Sequence, residues 1–389
     1  IEFHPAQTSV TMAAPAKKNL GNVLVIGGCG FLGHHIVNLL HDTYTSQISV
    51  LDLSTTRNRR PDSDGVTYYD GDITSLSSLV PIFEKAKPDV VIHTASPNLM
   101  GAGHELYRKV NVDGTACVIE ACQKTGVKAL VYTSSASVIH DTISDLKNAD
   151  ERWPVVPPHA QHEYYSQTKV YIYPPLPSRR SRSPRPRRKP LPHPPNLLPP
   201  PRRNLRRSDV QVLPPILNVH HTNRTGFQLG DNTNLFDFTY VVNVAHAHLL
   251  AAYGLLATSR VSTAVLDHEK VDGEAFFITN CAPVYFWDFA RAVWAHAGSE
   301  KGTEHVWVIS RDVGLAIGGI LEWVTWAVGR QSKLTRRQVK YSTMTRYYDC
   351  GKAQKRLGYK PLVGLNEGLR RGVQWFEEQR TKEGEKKDQ

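Results

Sequence analysis

The sequence has few cysteines and no long hydrophobic run. Its five cysteines are scattered and form no Cys-x-x-Cys pair, and its seventeen histidines form no His-Glu-x-x-His motif. These absences argue against a disulfide scaffold and a structural zinc site, and they indicate a reducing compartment. No apolar run reaches the roughly 20 residues that a membrane-spanning helix needs. No signal peptide is visible at the N-terminus.

The longest apolar stretch covers residues 313–328 and is interrupted by Glu322. It is too short and too interrupted to predict a membrane span. Its pattern fits two kinds of helix equally well: one buried in the protein core, and one that lies on a membrane surface.

Acidic residues are absent from residues 174–208, which we call the Arg/Pro segment. It contains ten Arg, one Lys and twelve of the 25 prolines, so it carries the entire formal net charge of +11. Proline cannot continue a helix or sit in a central strand, and the composition predicts a low-complexity segment without regular structure. The rest of the chain is neutral overall, which argues against nucleic acid as its partner.

Short apolar runs alternate with helical stretches from residue 22 onward. Such alternation predicts βαβ units in a Rossmann-type, doubly wound parallel sheet, with a smaller mixed α/β domain for the substrate in the C-terminal part. We expect an N-terminal extension (1–19), a dinucleotide-binding domain (20–173), the Arg/Pro segment, the remainder of the sheet with the substrate domain (209–380), and a charged tail (381–389).

Three glycines follow the first strand and open the first helix with the spacing Gly27-x-x-Gly30-x-x-Gly33. Gly27 permits a tight turn, Gly30 lets the backbone approach a pyrophosphate, and Gly33 lets the helix pack closely on the strand. The helix N-terminus then offers free N–H groups to the phosphates. The loop predicts a dinucleotide site, to which we also assign Phe31 and Leu32.

Asp52 ends the second strand, where a carboxylate accepts hydrogen bonds from the ribose hydroxyls and repels a 2′-phosphate. It therefore favours NAD over NADP. Arg57, Arg59 and Arg60 follow closely, however, and could reverse this preference. The choice of NADP stays open at this point.

Tyr165 and Lys169 lie one helical turn apart, so they share a helix face. An ammonium group beside a phenol stabilises the phenolate, which lets the tyrosine act as a base well below its ordinary pKa of about 10. Ser135 lies at the end of a strand with the sequence "YTSSAS" and is the best-placed hydroxyl to orient a substrate oxygen. The three residues predict a proton-transfer site.

These motifs, with "DGDI" and "HTAS" between them, resemble those of the extended short-chain dehydrogenases/reductases. The resemblance implies that Ser135, Tyr165 and Lys169 form the catalytic triad, with Asn111 holding an active-site water relay. It also implies a further set of cofactor contacts: Asp72 and Ile73 beside the adenine, and Thr94 and Ala95 along the cofactor.

Phrases such as "NLFDFTYVVNVAHAHLL" and "RYYDCGKAQKRLGYKP" narrow the likeness. They resemble the fungal sterol-4α-carboxylate 3-dehydrogenases (decarboxylating), a group within the 3β-hydroxysteroid dehydrogenase family. The resemblance implies NAD-dependent oxidation of the 3β-hydroxyl of a 4α-carboxysterol, with decarboxylation at C4, in sterol (ergosterol) biosynthesis. It also implies a peripheral position on the cytoplasmic face of the endoplasmic reticulum membrane, other sterol C4-demethylation enzymes as partners, and a homodimer.

The Arg/Pro segment departs from this family. In the family, the Tyr–Lys helix continues for several turns and a sixth strand follows; here the Arg/Pro segment stands in their place at nearly the same length. We interpret it as a shifted reading frame or a mispredicted intron, and we expect negligible activity. The alternatives are a true basic arm that binds RNA or membranes on a catalytically dead dinucleotide-binding protein, and a sugar-nucleotide epimerase or dehydratase on the same scaffold.

Overall fold

The computed structural model describes most of the chain. It covers residues 17–97, 103–171, 196–198, 204–205, 212–261, 263, 265–329, 332 and 334–385. Most of the predicted N-terminal extension and of the Arg/Pro segment lies outside the described residues.

Six parallel strands form the main sheet, in the spatial order β3-β2-β1-β4-β5-β7. The first seven strands of the chain are β1 (Asn22–Ile26), β2 (Gln47–Asp52), β3 (Thr67–Asp70), β4 (Val90–His93), β5 (Ala129–Thr133), β6 (Leu146–Ala149) and β7 (Asn196–Leu198). The helices among them are α1 (Gly33–Thr43), α2 (Leu76–Ala86), α3 (His104–Tyr107), α4 (Thr115–Thr125) and α5 (Tyr164–Tyr171), and a π-helical stretch (Arg108–Gly114) joins α3 to α4.

The C-terminal elements follow in a mixed arrangement. The strands are β8 (Asn204–Leu205), β9 (Phe227–Leu229), β10 (Leu235–Phe236), β11 (Thr239–Tyr240), β12 (Val284–Tyr285), β13 (Trp307–Ile309) and β14 (Arg346–Tyr348). The helices are α6 (Leu213–His221), α7 (Val241–Ser259), α8 (Phe286–His296), α9 (Arg311–Ala327), α10 (Arg336–Thr343), α11 (Gly351–Leu357) and α12 (Leu365–Glu385). A small sheet has the strand order β12-β10-β14-β6. Strand β10 is antiparallel to β12, whereas β10 with β14, and β14 with β6, pair in parallel.

The main sheet is covered on both faces, as its apolar strands predict. Along β1, Val23 and Val25 point into a core shared with α1 and α7, while Leu24 and Ile26 point into a core shared with α2 and α4. Side chains alternate across a strand, so a continuous apolar run serves both layers. The predicted doubly wound Rossmann-type fold is confirmed.

Helix α7 belongs to the core of this fold. It is the one helix of the described residues that is long and apolar enough to cross a membrane, yet most of it is buried, and such burial is typical of a core helix. Val244 and Leu249 pack with Ile36 of α1 in the same cluster. Helix α7, from the C-terminal part of the chain, thus packs into the core of the main sheet.

The sixth strand is present, which corrects the prediction that it is missing. Residues Asn196–Leu198 of the Arg/Pro segment form β7, in parallel register with Val131 to Thr133 of β5, and Asn204–Leu205 form β8 beside β11. Strand β7 is a sheet edge among the described residues, and an edge strand tolerates flanking prolines that a central strand would not. A three-residue run between prolines therefore suffices.

A disulfide joins Cys281 to Cys350, with Cα atoms 6.3 Å apart. It links the loop after Thr279 to the start of α11. The scattered cysteines, which indicated a reducing compartment, gave no sign of this bond, because the partners are 69 residues apart in the sequence.

Candidate active site

The glycine loop is as tight as its predicted role requires. Gly27 has φ of +79°, and a Cβ atom there would lie 2.7 Å from the Ala95 backbone nitrogen. A Cβ at Gly33 would lie 2.0 Å from the Gly27 carbonyl oxygen. The loop therefore brings backbone close to backbone at the start of α1, which is the geometry that a pyrophosphate needs. Thr94 is held beside the glycine loop, because its hydroxyl donates to the Ile26 carbonyl at 2.9 Å.

Phe31 and Leu32 lie at this loop, and both pack into the core. Leu32 is buried in the cluster that contains Ile36, and Phe31 is partly buried against the same cluster. Any contact of Leu32 with a cofactor would therefore come from its backbone.

Asp52 lies at the carboxyl end of β2, where its side chain holds the glycine loop. One carboxylate oxygen accepts the Cys29 N–H at 3.0 Å, and the other accepts the Leu53 N–H at 2.9 Å. Burial raises the pKa of Asp52 above its ordinary value. The backbone donors hold the carboxylate at the edge of the sheet, where a ribose would reach it.

Two of the three nearby arginines are engaged elsewhere. Arg59 pairs with Asp62 at 3.1 Å, and Arg60 pairs with Asp64 at 2.7 Å. The charge of Arg57 acts on Asp52 and lowers the pKa of that carboxyl, against the larger effect of burial. The arrangement supports the preference for NAD that Asp52 predicts.

Asp72 and Ile73 follow β3 at the same edge. The Asp72 carboxylate accepts the Thr74 N–H at 2.8 Å, which fixes the turn into α2. Ile73 is buried against Gly114: a Cβ atom added to that glycine would lie 2.9 Å from the Ile73 side chain. Their predicted contact with an adenine stays a prediction.

Ser135 follows β5 and is almost completely buried. Its hydroxyl oxygen accepts the Ser137 N–H at 3.2 Å and the Ser137 hydroxyl at 2.8 Å. Because two donors occupy its lone pairs, the Ser135 proton remains available to donate to a substrate oxygen.

Tyr165 and Lys169 lie on α5 as predicted. The Lys169 Nζ is 5.8 Å from the centre of the Tyr165 ring. Lys169 is completely buried, and burial lowers its pKa to about 7. The Tyr165 ring also makes an edge-on contact with Tyr107, with 5.8 Å between the ring centres. The structure brings the predicted pair together beside the end of β5.

Asn111 lies in the π-helical stretch and is completely buried. Its side-chain oxygen accepts the Ser96 hydroxyl at 2.9 Å, and its amide donates to the Thr168 hydroxyl at 3.0 Å. Asn111 therefore ties the loop after β4 to the catalytic helix. Its predicted part in a water relay stays a prediction.

Sequence reasoning missed three buried residues behind Lys169. The Lys169 Nζ donates to the Tyr132 hydroxyl at 2.9 Å. The Thr115 side chain lowers the pKa of that phenol, and its hydroxyl lies 3.1 Å from His93 Nε2. One signal could have found them: a tyrosine in a strand buried on both faces needs a hydrogen-bond partner.

A glycine loop at a helix N-terminus, an acidic residue ending β2, and a Ser/Tyr/Lys group beside β5 together define a dinucleotide-dependent oxidoreductase site. Residues 24–171 and 207–309 match the 3-beta hydroxysteroid dehydrogenase/isomerase family. Because these two stretches make up more than half of the chain, the protein belongs to that family, as the sequence resemblance predicted.

Individual relatives agree with this assignment. The chain is 39% identical over 359 residues to the decarboxylating sterol-4-alpha-carboxylate 3-dehydrogenase of Schizosaccharomyces pombe, covering 92% of this chain and 98% of that one. It is 33% identical over 358 residues to the human protein of that description, covering 90% and 87%. The solved UDP-glucose 4-epimerase of Thermus thermophilus, in complex with NAD, has a TM-score of 0.59, 21% identity and coverage of 91% and 98%. At that identity the likeness concerns the fold alone.

Proposed function

We propose that this protein oxidises the 3β-hydroxyl of a 4α-carboxysterol with NAD, followed by loss of carbon dioxide from C4. The observation that carries the proposal is the buried Lys169 beside Tyr165, next to a hydroxyl whose lone pairs are already occupied. The names of the relatives supply the substrate class, since the fungal and mammalian ones are sterol-4-alpha-carboxylate 3-dehydrogenases.

The chain fits the cofactor. Gly27, Gly30 and Gly33 would hold the pyrophosphate and Asp52 the ribose, because a side chain at the first or last glycine would strike backbone atoms. When bound, NAD supplies the acceptor for the hydride that leaves C3.

Tyr165 and Ser135 have separate roles at the substrate oxygen. Ser135 donates its free proton to the 3-oxygen and orients it, and Tyr165 removes the hydroxyl proton as general base. The charge of Lys169 favours the phenolate form of Tyr165. The resulting 3-ketone stands β to the C4 carboxylate, so the electrons of the breaking C–C bond pass into the enolate of that ketone as carbon dioxide leaves.

The test measures NADH formation from a 4α-carboxysterol, and ketone formation by mass spectrometry. Tyr165→Phe should abolish both, by about 100-fold or more. Tyr164→Phe is the matched control, since that neighbouring ring stacks on His104 outside the triad. Turnover of a nucleotide sugar in place of the sterol would favour an epimerase or dehydratase instead.

We infer that residues 172–206 arise from a shifted reading frame or a mispredicted intron. The family match stops at residue 171 and resumes at 207. The alignment with the Schizosaccharomyces pombe relative nevertheless spans 98% of that protein. The unmatched residues therefore replace family sequence; a true basic arm would be added to it.

This inference predicts low activity for the chain as it stands. Replacing residues 172–206 by the corresponding segment of the Schizosaccharomyces pombe relative should raise kcat/KM by at least about 100-fold, because small misplacements at such sites cost that much. Equal turnover by the two chains would show that the segment is a tolerated insert. No sterol turnover by either chain would overturn the proposed activity itself.

We also propose that the protein binds a membrane surface through α9 and β13. Helix α9 packs on α10 through its small residues: a Cβ atom at Gly318 would lie 3.0 Å from the Arg336 nitrogen. The opposite side of α9 and the adjoining strand expose large apolar side chains, which we call the apolar face: Trp307, Val308, Ile320, Trp323, Val324, Trp326 and Val328.

This exposure favours the surface helix over the core helix. Trp326 is 77% exposed and Trp307 75% exposed. Exposed large apolar side chains in this number mark an interaction site, and tryptophan is enriched at the level of lipid headgroups. A sterol substrate resides in membranes, so a lipid surface is the partner that also delivers the substrate.

Vesicle flotation tests the apolar face. Trp323→Ser combined with Trp326→Ser should weaken binding to phosphatidylcholine vesicles by at least about tenfold, given the apolar area lost. Trp153→Ser, at a partly exposed tryptophan on another part of the molecule, should bind as the unmodified protein does. Unchanged flotation of the double variant would contradict this role.

The cytoplasmic face of the endoplasmic reticulum membrane is the location that we propose, with the other sterol C4-demethylation enzymes as partners. A membrane-bound lipid substrate and the family assignment support both. Cell fractionation and crosslinking would test them, and sedimentation would test the predicted homodimer.

A further inference from the structure

The catalytic lysine takes its hydrogen bonds from the protein interior. Lys169 Nζ donates to the Tyr132 hydroxyl at 2.9 Å and to the Thr133 carbonyl at 3.3 Å. It also lies 4.8 Å from the centre of the Tyr132 ring. Asn111, to which the family resemblance gives the relay, is instead held by Ser96 and Thr168.

Two further buried residues lie behind Tyr132. Tyr132, Thr115 and His93 are all almost completely buried, and burial lowers the pKa of His93 to about 3, so its ring is neutral. The Thr115 hydroxyl lies 3.1 Å from His93 Nε2 and acts on the Tyr132 hydroxyl, whose pKa it lowers. The Tyr132 oxygen accepts from Lys169 Nζ, because an ammonium group can only donate.

We propose that Tyr132, backed by Thr115 and His93, is a positioning residue that holds Lys169 charged beside Tyr165. The proposal rests on the proposed dehydrogenase function and names one more residue that it requires. Tyr132 touches neither substrate nor cofactor in this scheme, and acts through Lys169.

The sign of the expected effect follows from the surroundings of Lys169. The titratable groups that face the pair are Tyr132 on β5, His93 on β4, Tyr165 on α5 itself, and Tyr107 against the Tyr165 ring. Burial already lowers the pKa of Lys169 to about 7. Without the Tyr132 hydroxyl, the ammonium form loses an acceptor, so its pKa falls further and the charge beside Tyr165 is lost at neutral pH. The pKa of Tyr165 then rises.

The kinetic experiment compares Tyr132→Phe with the protein that keeps Tyr132 across pH, both in the full chain with residues 172–206 replaced by the segment of the Schizosaccharomyces pombe relative, because low activity is expected of the chain as it stands. The rate of sterol oxidation should fall about tenfold at pH 7 and recover as pH rises, because a higher pKa of Tyr165 moves the acid limb of the profile upward. Thr115→Val should also shift the acid limb of the pH profile to higher pH, but by a smaller amount than Tyr132→Phe. Tyr359→Phe is the matched control, since that buried hydroxyl donates to the Thr279 carbonyl, away from Lys169.

A second measurement keeps the proposal separate from the proposed function. The phenolate absorbance of Tyr165, obtained as the difference between each protein and its Tyr165→Phe form, should titrate at higher pH in Tyr132→Phe even if no sterol is turned over. An unchanged titration would overturn the positioning role, as would a loss of rate that is equal at every pH. Sterol turnover with an unshifted pH profile in Tyr132→Phe would support the proposed function and contradict only the positioning role of Tyr132.

Discussion

The catalytic edge of the main sheet and the small sheet both bury ionisable side chains, but they treat them differently. At the catalytic edge, buried Lys169 has two acceptors, and Asn111 is bonded at both ends of its amide. In the small sheet, buried Arg346 donates from Nε to the Tyr348 hydroxyl at 2.8 Å, while Nη1 and Nη2 have no partner among the described residues. One carboxylate oxygen of Asp237, the residue after β10, likewise has no partner among the described residues.

The difference shows how far each region satisfies its buried polar and charged groups. At the catalytic edge, Lys169 and Asn111 have their own partners, so these two groups are held in place before any ligand binds, which favours catalysis. His93 Nδ1 and the hydroxyls of Ser134 and Ser166 at this edge have no partner among the described residues. The small sheet carries uncompensated buried groups, and such groups cost stability unless something pairs with them. Four substitutions can sharpen or break this contrast.

Lys169→Met should have the largest effect. In the chain with residues 172–206 replaced, sterol oxidation should fall by about 10²- to 10⁴-fold, because the phenolate of Tyr165 loses its cation. Folding should respond in a different way. Burial lowers the folded-state pKa of Lys169 to about 7, so the unfolded chain binds more protons above that pH. Stability of the unmodified protein should therefore rise between about pH 7 and pH 10, and the variant should lose that slope.

Both effects can be measured on one preparation, by kinetics and by urea unfolding across pH. Lys128→Met is the control, because that exposed lysine pairs with Asp89 at the surface. A variant with the same pH slope as the unmodified protein would show that Lys169 is not the buried charge that the structure describes.

Asp237→Asn should have the next largest effect. Burial raises the pKa of this carboxyl to about 7, while a backbone hydrogen bond from Tyr348 opposes the rise. The folded protein then binds a proton that the unfolded chain releases between about pH 4 and pH 7, so stability falls as pH rises through that window. An amide cannot ionise and should stabilise the protein by about 2–4 kcal/mol at pH 8.

Denaturant unfolding at pH 5 and pH 8 checks this, with the exposed Asp267→Asn as control. The gain should appear at pH 8 and largely vanish at pH 5. A loss of stability at both pH values would mean that the Asp237 carboxylate is paired, and the contrast between the two regions would fail there.

Arg346→Met should have a smaller stabilising effect of about 1–3 kcal/mol, because it replaces an incompletely paired buried cation by an apolar side chain of similar length. The guanidinium lies 6.0 Å from the centres of the Phe236 and Tyr348 rings, so the apolar surroundings already exist. Thermal unfolding measures the change, with exposed Arg224→Met for comparison. A destabilisation of more than about 1 kcal/mol would reveal an anionic partner for Arg346.

The same contrast marks how far the sequence could predict the structure. The Rossmann-type fold, the glycine loop, Asp52 and the Ser135/Tyr165/Lys169 group follow from local patterns: apolar period, glycine spacing and one helical turn. Tyr132 and His93 were missed because they meet Lys169 only through the packing of three separate elements. The Cys281–Cys350 bond and the buried Arg346 depend on contacts between distant parts of the chain, which no local pattern records.

Strand β7 was missed for a different reason. A three-residue run between prolines lies below the length at which alternation can be recognised, and composition alone argued against it. Its pairing with β5 joins residues more than 60 positions apart, which so short a run cannot record.

Asp52→Ala should have the smallest effect, on cofactor choice. In the unmodified protein, NAD should bind more tightly than NADP, because the carboxylate accepts from the ribose hydroxyls and repels a 2′-phosphate. Removing it should narrow the ratio of the two dissociation constants by about tenfold, or about 1.4 kcal/mol, with Arg57 then free to favour the phosphate. Calorimetry with both cofactors measures the ratio, and Asp267→Ala, at an exposed aspartate outside the site, should leave it unchanged. Tighter binding of NADP by the unmodified chain would show that the arginines after β2 decide the cofactor, and that the catalytic edge is less self-contained than its hydrogen bonds indicate.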